Sequence, residues 1–318
     1  GIVRKFQKNN NIIESLFDVI EGSQMLDSIA DEYSKLSENT KSVYGIVSLT
    51  YRFGYKIRWE VLQRTLHKKI NYTWEDFIQM IVKRDGSGNI YDDEIQGNFY
   101  LLGRNRFICK YITQIHYDGN YSQEIEDYKQ IIEACKGIDN DERFVCGLMN
   151  AMLKECEIKY SEEYLLTILN YAIDTLDGAN NKSMIMHLKG EYYLQNKEFS
   201  EAISCFESNV NNGLNEVYSL HSLGKSYFYL AQTEVQKREK FRIHIDKSID
   251  KLIEGLKKYR ENLFYYKLLN AIYVYLYEVG RVSEKNEVSW CEIEKIALEN
   301  IGKQKFDDIR NDNVISMD

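Results

Sequence analysis

Two histidines, His187 and His221, have the spacing that most directly invites a chemical interpretation, because they lie about 34 residues apart in similar surroundings, as equivalent positions of a repeat would. Equivalent positions of neighbouring repeats lie side by side in a folded chain, which would bring the two imidazoles to a shared metal ion. A zinc site takes four ligands from cysteine, histidine and carboxylate side chains. The sequence provides no such set around this pair, so we predict that the chain binds no metal here.

The segment from Leu223 to Ser226, with the sequence LGKS, matches the end of a phosphate-binding loop. Such a loop needs a second glycine five residues before Gly224, because its backbone amides wrap a phosphate. That position is Ser219, so we interpret Gly224 as a helix-packing residue. Because the five histidines are scattered and no nucleophile elbow is present, the sequence offers no catalytic centre. We predict a chain that is not an enzyme and holds no cofactor.

The composition is that of a chain with a buried core. Its 318 residues are 44% hydrophobic and 28% charged, which suits about two domains and excludes a disordered chain. It has no apolar run of the roughly 18 residues that a spanning helix needs and no signal-peptide pattern. We therefore expect a cytoplasmic protein without membrane contact. Its six cysteines include no CxxC pair, which favours free thiols over a disulfide framework.

The net charge of −8 is unevenly distributed, because residues 1–120 sum to +1 and residues 121–318 sum to −9. Residues 41–84 carry nine basic and three acidic side chains, a net of +6. The nine basic residues are Lys41, Arg52, Lys56, Arg58, Arg64, Lys68, Lys69, Lys83 and Arg84. A DNA-reading helix needs basic or amide side chains on its outer face, whereas the third helix predicted here begins with Glu75 and Asp76. Direct DNA binding is therefore disfavoured.

The first part of the chain shows three short helical patterns followed by a glycine-containing loop and a strand. The predicted helices are Lys41–Phe53, Ile57–Leu66 and Thr73–Val82, and the predicted strand is Asn98–Leu102. Gly54 suits the residue after a helix, and Thr73 suits an N-cap. As an alternative, the segment Ile81–Lys83 is extended and pairs with the strand. Three helices and a β-hairpin predict a winged-helix-like domain over residues 41–120.

The spacing of the two histidines also relates Gly190 to Gly224 and Tyr193 to Tyr227, and we call it the repeat period. A glycine at such a position allows two helices to pack closely. The segment from Met186 to Phe206 resembles a tetratricopeptide repeat, which is a pair of antiparallel helices. In the next repeat, the charged stretch Gln236–His244 delays the second helix, which is predicted to resume at Ser248. The third repeat is predicted to end with a helix over Trp290–Ile301.

Such helical pairs cannot bury their apolar faces alone, so they must stack. We therefore predict a mainly α fold in which residues 121–318 form a tetratricopeptide-like α-solenoid after the winged-helix-like domain. Residues 1–40 are predicted to be a helical linker.

The run from Glu21 to Leu62, EGSQMLDSIADEYSKLSENTKSVYGIVSLTYRFGYKIRWEVL, resembles the end of the ATPase module and the start of the winged helix in STAND-type signalling ATPases of bacterial antiviral defence. The resemblance implies that residues 1–40 are a helical linker or the end of an upstream ATPase module. In that family a second winged-helix signature reaches toward the nucleotide, and here YLLGRNRFICKYI, from Tyr100 to Ile112, is similar to it. The resemblance implies that Arg104, Asn105 and Arg106 lie near a nucleotide, with Asn105 where the family has histidine. No phosphate-binding loop precedes these runs, so we expect the C-terminal portion of a larger protein that binds ATP or ADP.

The family resemblance implies a non-catalytic regulatory and sensor segment. The solenoid would bind a protein or peptide trigger, and the winged helix would relay that event to an upstream NTPase module with a SIR2-like or other effector. Activation would involve a homo-oligomer. Tetratricopeptide repeats bind through the concave face of their first helices, and the matching residues here are His187, Glu191, Gln195, Tyr218, His221, Lys225 and Tyr229. A merely solvated face is the alternative for these residues.

A different class of protein also fits part of the pattern. A peptide-responsive, DNA-binding transcription regulator would combine a basic head with a repeat body. The basic stretch at residues 41–84 favours it, and the acidic start of the third helix opposes it.

Overall fold

The computed structural model describes residues 22–67, 72–85, 88–155 and 162–311. Over these residues the fold is mainly helical, as the sequence predicts. The chain divides into two compact units, one ending at Lys182 and the other starting at Ser183. This division lies later in the chain than the domain boundary predicted near residue 120.

Some sequence-based predictions concern residues outside the described ranges. These are the first half of the predicted linker over residues 1–40, the basic residues Lys68 and Lys69, and Cys156. Of the other cysteines, Cys291 is exposed, and all of them are free thiols. The buried ones are Cys109, Cys135, Cys146 and Cys205.

The first unit contains helices and one small sheet. Its helices are α1 (Gly22–Ser34), α2 (Glu38–Tyr51), α3 (Trp59–Thr65), α4 (Trp74–Phe77), a π-helical segment (Ile78–Asp85), α5 (Arg106–Tyr117), α6 (Tyr121–Cys135), α7 (Asp139–Glu155) and α8 (Glu162–Thr175). Local signals fix several helix ends. Thr73 caps α4 by accepting a hydrogen bond from the Asp76 amide, and Gly54, with φ of +83°, follows α2.

The sheet has three antiparallel strands, β1 (Ile57–Arg58), β2 (Ile90–Ile95) and β3 (Asn98–Gly103), in the order β1-β3-β2. The predicted strand Asn98–Leu102 is therefore confirmed as β3. Its central residue Leu101 is fully buried and pairs with Ile57 on one side and Asp92 on the other.

The alternative that Ile81–Lys83 is extended and pairs with this strand is wrong. These residues are helical, because Ile78, Ile81 and Val82 bury one face of the π-helical segment. The hairpin partner of β3 is instead β2, whose acidic residues Asp92, Asp93 and Glu94 do not resemble a strand in sequence.

The second unit consists of successive helices. They are α9 (Ala179–Gln195), which begins just before the division between the units, α10 (Phe199–Asn211), α11 (Glu216–Thr233), α12 (Arg238–Lys258), α13 (Leu263–Glu278), α14 (Glu284–Asn300) and α15 (Lys303–Asn311). Two of the predicted starts are wrong. Helix α12 begins at Arg238 rather than at Ser248, because Phe241 and Ile245 already pack into the core. Helix α14 begins at Glu284, where Ser283 forms a capping box with Asn286.

The two glycines related by the repeat period lie at close helix contacts. A Cβ at Gly190 would come within 2.6 Å of the Phe206 ring in α10. A Cβ at Gly224 would come within 2.5 Å of Leu252 in α12. Both distances are too short for an added side chain, so helices α9 and α11 each depend on glycine to approach the helix that follows.

Candidate functional site

Helix α11 presents one row of aromatic, imidazole and amine side chains. Tyr218, His221, Lys225 and Tyr229 follow one another at intervals of three and four residues, so they share a face of the helix. Tyr218 is 65% exposed, whereas the other three are half-buried. The Lys225 ammonium lies over the Tyr229 ring, 5.6 Å from its centroid.

Two predicted residues of α9 meet this row. The His187 ring centroid lies 6.3 Å from that of Tyr218. Glu191 accepts a hydrogen bond of 2.6 Å from the Ser222 hydroxyl, and its carboxylate lies 3.7 Å from His187 Nε2. Side chains of α9 and α11 that the repeat period relates therefore lie close together.

The remaining predicted residue, Gln195, lies at the end of α9 and borders an open groove of about 740 Å³. Tyr229 lines the same groove and packs against Phe199, with ring centroids 6.0 Å apart. Leu194 and Leu230 supply further apolar lining. We call the seven predicted residues together the α11 surface, which combines exposed aromatic and polar groups with a groove that would accept an apolar side chain.

Sequence reasoning missed two exposed residues that extend this surface. Met184 precedes His187 by one turn of α9 and is 41% exposed. Phe264 of α13 is 69% exposed, and its ring centroid lies 6.2 Å from that of His221. Met184 precedes Tyr218 by the repeat period, so the period could have identified it. Phe264 lies further along the chain than the period predicts, because the long helix α12 lengthens the repeat.

Burial controls the charge of the two histidines. It lowers the pKa of His187, an effect that the Glu191 carboxylate opposes. The pKa of His221 is lowered by burial and by the Lys225 ammonium, again against the pull of Glu191. Both imidazoles therefore favour the neutral form in the folded chain, which leaves Lys225 as the positive charge beside them.

We expect the second unit to lose stability as the pH falls below about 6.5, the ordinary pKa of histidine. A histidine with a lowered folded-state pKa takes up its proton more readily when unfolded, so acid favours unfolding. The melting temperature should fall between pH 7 and pH 5.5, and the fall should be smaller in the double variant His187→Gln, His221→Gln. An equal fall in parent and variant would show that these two histidines do not cause it.

Among the described residues, no three His, Cys, Asp or Glu side chains are grouped so that they could hold a metal ion. Arg104 is exposed and lies 3.9 Å from a Glu32 carboxylate oxygen. Asn105 caps α5 by accepting a 2.8 Å hydrogen bond from the Ile108 amide. Asn105 therefore has a structural role of its own.

Arg106 points to a different neighbourhood from that of Arg104. Its Nε donates a 3.1 Å hydrogen bond to the Arg52 carbonyl oxygen, and its guanidinium forms an ion pair with Glu155. The two arginines thus contact different carboxylates, Glu32 and Glu155.

Most of the described basic residues in the 41–84 segment already have acidic partners. The pairs are Lys41 with Glu38, Arg52 with Glu124, Lys56 with Asp93, Arg58 with Glu60 and Asp141, and Arg64 with Asp141. Lys83 and Arg84 are exposed, as are Glu75 and Asp76 on the same stretch of helix. The net charge of this segment therefore overstates the positive charge that a phosphate backbone would meet.

No protein-family model, curated protein sequence or solved structure matches this chain. Among the described residues, none of the helices has the length and apolar character required to cross a membrane.

Proposed function

We propose that this chain is a non-catalytic sensor segment that binds a protein or peptide trigger through the α11 surface. The observation that carries the proposal is the continuity of this surface across neighbouring helices. Tyr218 and Phe264 expose large aromatic faces, and Lys225 supplies a positive charge over the Tyr229 ring of the same surface. Aromatic side chains of this kind dominate the energy of protein interfaces.

In this proposal, the helices around the small sheet and the successive helices from α9 onward have different roles. The combination of three helical segments with the β1-β3-β2 sheet supports a winged-helix-like first part in this proposal, and the successive helices from α9 onward support a tetratricopeptide-like second part. In a cytoplasmic antiviral ATPase of the STAND type, the repeats would detect the trigger. The winged helix would then change its contacts with an NTPase module that binds ATP or ADP, and a homo-oligomer would follow. The trigger must bind the active state more tightly than the resting state.

A DNA-binding regulator is the weaker alternative. The internal pairing of Arg52, Lys56, Arg58 and Arg64 with carboxylates argues against it.

The experiment that tests the proposal is a challenge of bacteria that carry the full-length gene with a panel of phages. We expect the parent to restrict at least one phage, and the variants Tyr218→Ala and Lys225→Glu to lose that restriction at unchanged protein level and melting temperature. Exposed substitutions usually change the unfolding free energy by under about 0.5 kcal/mol, so folding and response should separate.

The matched control for this experiment is Tyr277→Ala. Tyr277 is as exposed as Tyr218, at 65%, but lies near the far end of α13 from Phe264. The variant Tyr277→Ala should leave phage restriction intact. Failure of the parent to restrict any phage, or full restriction by both surface variants, would contradict the proposal.

A further inference from the structure

The exposed surface of the second unit contains two parallel rows of side chains. Met184, Tyr218 and Phe264 occupy equivalent positions of α9, α11 and α13, and each is an exposed apolar or aromatic residue. One turn further along each helix, the equivalent positions are His187, His221 and Lys267. We call the first set the apolar row and the second the nitrogen row.

Ring contacts join the rows across the helices. His187 of α9 contacts Tyr218 of α11, and His221 of α11 contacts Phe264 of α13, with ring centroids 6.3 Å and 6.2 Å apart. The three helices are therefore neighbours, and the apolar row crosses them in steps of about one helix spacing, roughly 8–10 Å.

This step length sets the register of a ligand that follows the apolar row. An extended chain of the polyproline type advances about 3.1 Å per residue and has three residues per turn. Three residues therefore cover about one helix spacing, and their side chains return to the same side of the ligand. A helical ligand advances about 1.5 Å per residue, so it would cover the same distance in about six or seven residues and would carry its anchors at that wider interval.

The charges beside the rows favour an acidic ligand. Within the described part of the chain, neither Lys225 nor Lys267 has a carboxylate at ion-pairing distance. Lys267 is exposed. The Glu191 carboxylate already accepts a hydrogen bond from Ser222 and lies next to His187. A carboxylate of the ligand would therefore find two lysines without an acidic partner.

We propose that the α11 surface, together with the apolar and nitrogen rows that extend it onto α13, binds an extended, acidic segment of its partner in which apolar side chains recur at every third residue. The apolar side chains would contact Met184, Tyr218 and Phe264, and acidic side chains between them would face Lys225 and Lys267. This inference rests on the proposed function, since it specifies the ligand of the same surface.

The test is a display selection of random twelve-residue peptides on the intact chain, followed by fluorescence anisotropy with the enriched peptides. We expect these peptides to be net acidic and to carry apolar residues at positions i, i+3 and i+6. Phe264→Ala and Lys267→Glu should each weaken their binding by about tenfold, the loss of one anchor contact. Tyr277→Ala should leave the affinity unchanged. Raising the salt concentration should weaken binding to the parent and change binding to Lys267→Glu less.

The outcomes separate the inference from the proposed function. Enriched peptides that lose affinity in Tyr218→Ala but are basic, or lack the three-residue spacing, would overturn the inference and leave the surface as a binding site. An absence of enriched peptides, or binding that is insensitive to Tyr218→Ala and to Phe264→Ala, would contradict the inference and the proposed function together.

Discussion

Replacing Arg52 by methionine is expected to lower the unfolding free energy of the first unit by about 3–5 kcal/mol, as for other broken buried ion pairs. Arg52 Nη2 lies 2.5 Å from Glu124 Oε1 and 2.8 Å from the Tyr128 hydroxyl. Both charged side chains are only 6% exposed. Without the guanidinium, the Glu124 carboxylate would stay buried beside the Tyr164 hydroxyl without a counter-charge. Urea denaturation of the chain measures the loss.

A control and a rescue make this prediction specific. Arg143 forms an ion pair with Asp139 in which both side chains are mostly exposed, at 69% and 65%. Arg143→Met should therefore cost under about 1 kcal/mol. Replacing Arg52 and Glu124 together by methionine should recover most of the loss, because the unpaired charge is gone. If Arg52→Met and Arg143→Met have the same stability, the buried ion pair between Arg52, at the end of α2, and Glu124 of α6 does not stabilise the first unit.

The variant Gly224→Leu is expected to lower the unfolding free energy of the second unit by at least about 2 kcal/mol, within the range of overpacked cores. A Cβ alone would lie 2.5 Å from Leu252 Cγ, and Leu252 is fully buried. The same change at Gly190 should have a similar effect through Phe206. Thermal or urea unfolding of each variant measures the result.

Gly224→Ala tests the same contact by the direction of the change in unfolding free energy. In an ordinary helix interior, Gly→Ala stabilises by up to about 1 kcal/mol, whereas Gly224→Ala should destabilise because the methyl group has no room. Ser204→Leu, at an exposed position of α10, is the control for adding a leucine and should be nearly neutral. Melting of Gly224→Leu at the parent temperature would show that the contact with Leu252 is not tight.

The repeat period was sufficient to place the side chains of two neighbouring helices. It identified Gly190 and Gly224 as close-packing positions and predicted that His187 lies beside α11, because equivalent positions of a repeat share their surroundings. It could not identify Phe264, since the intervening helix α12 is long and changes the period. Most of the charged residues that suggested a loop before Ser248 lie on the exposed side of that helix.

Local signals predicted the first unit unequally well. Thr73 and Gly54 mark helix ends by their own chemistry, and both predictions are confirmed. Strand β2 was missed because its pairing depends on β3 rather than on its own acidic residues. The partners of Arg52 and Arg64 are carboxylates that lie far away along the chain, so the sequence could not show that these charges are neutralised.

The most direct test of the central claim, that the chain detects a trigger through the α11 surface, is site-specific photocrosslinking in the full-length protein. A photoreactive phenylalanine derivative replaces Tyr218 in one version and Tyr277 in the other, and both are irradiated before and during phage infection. We expect an infection-dependent adduct from position 218 and none from position 277. An adduct of equal yield from both positions, or no infection-dependent adduct from position 218, would contradict the claim.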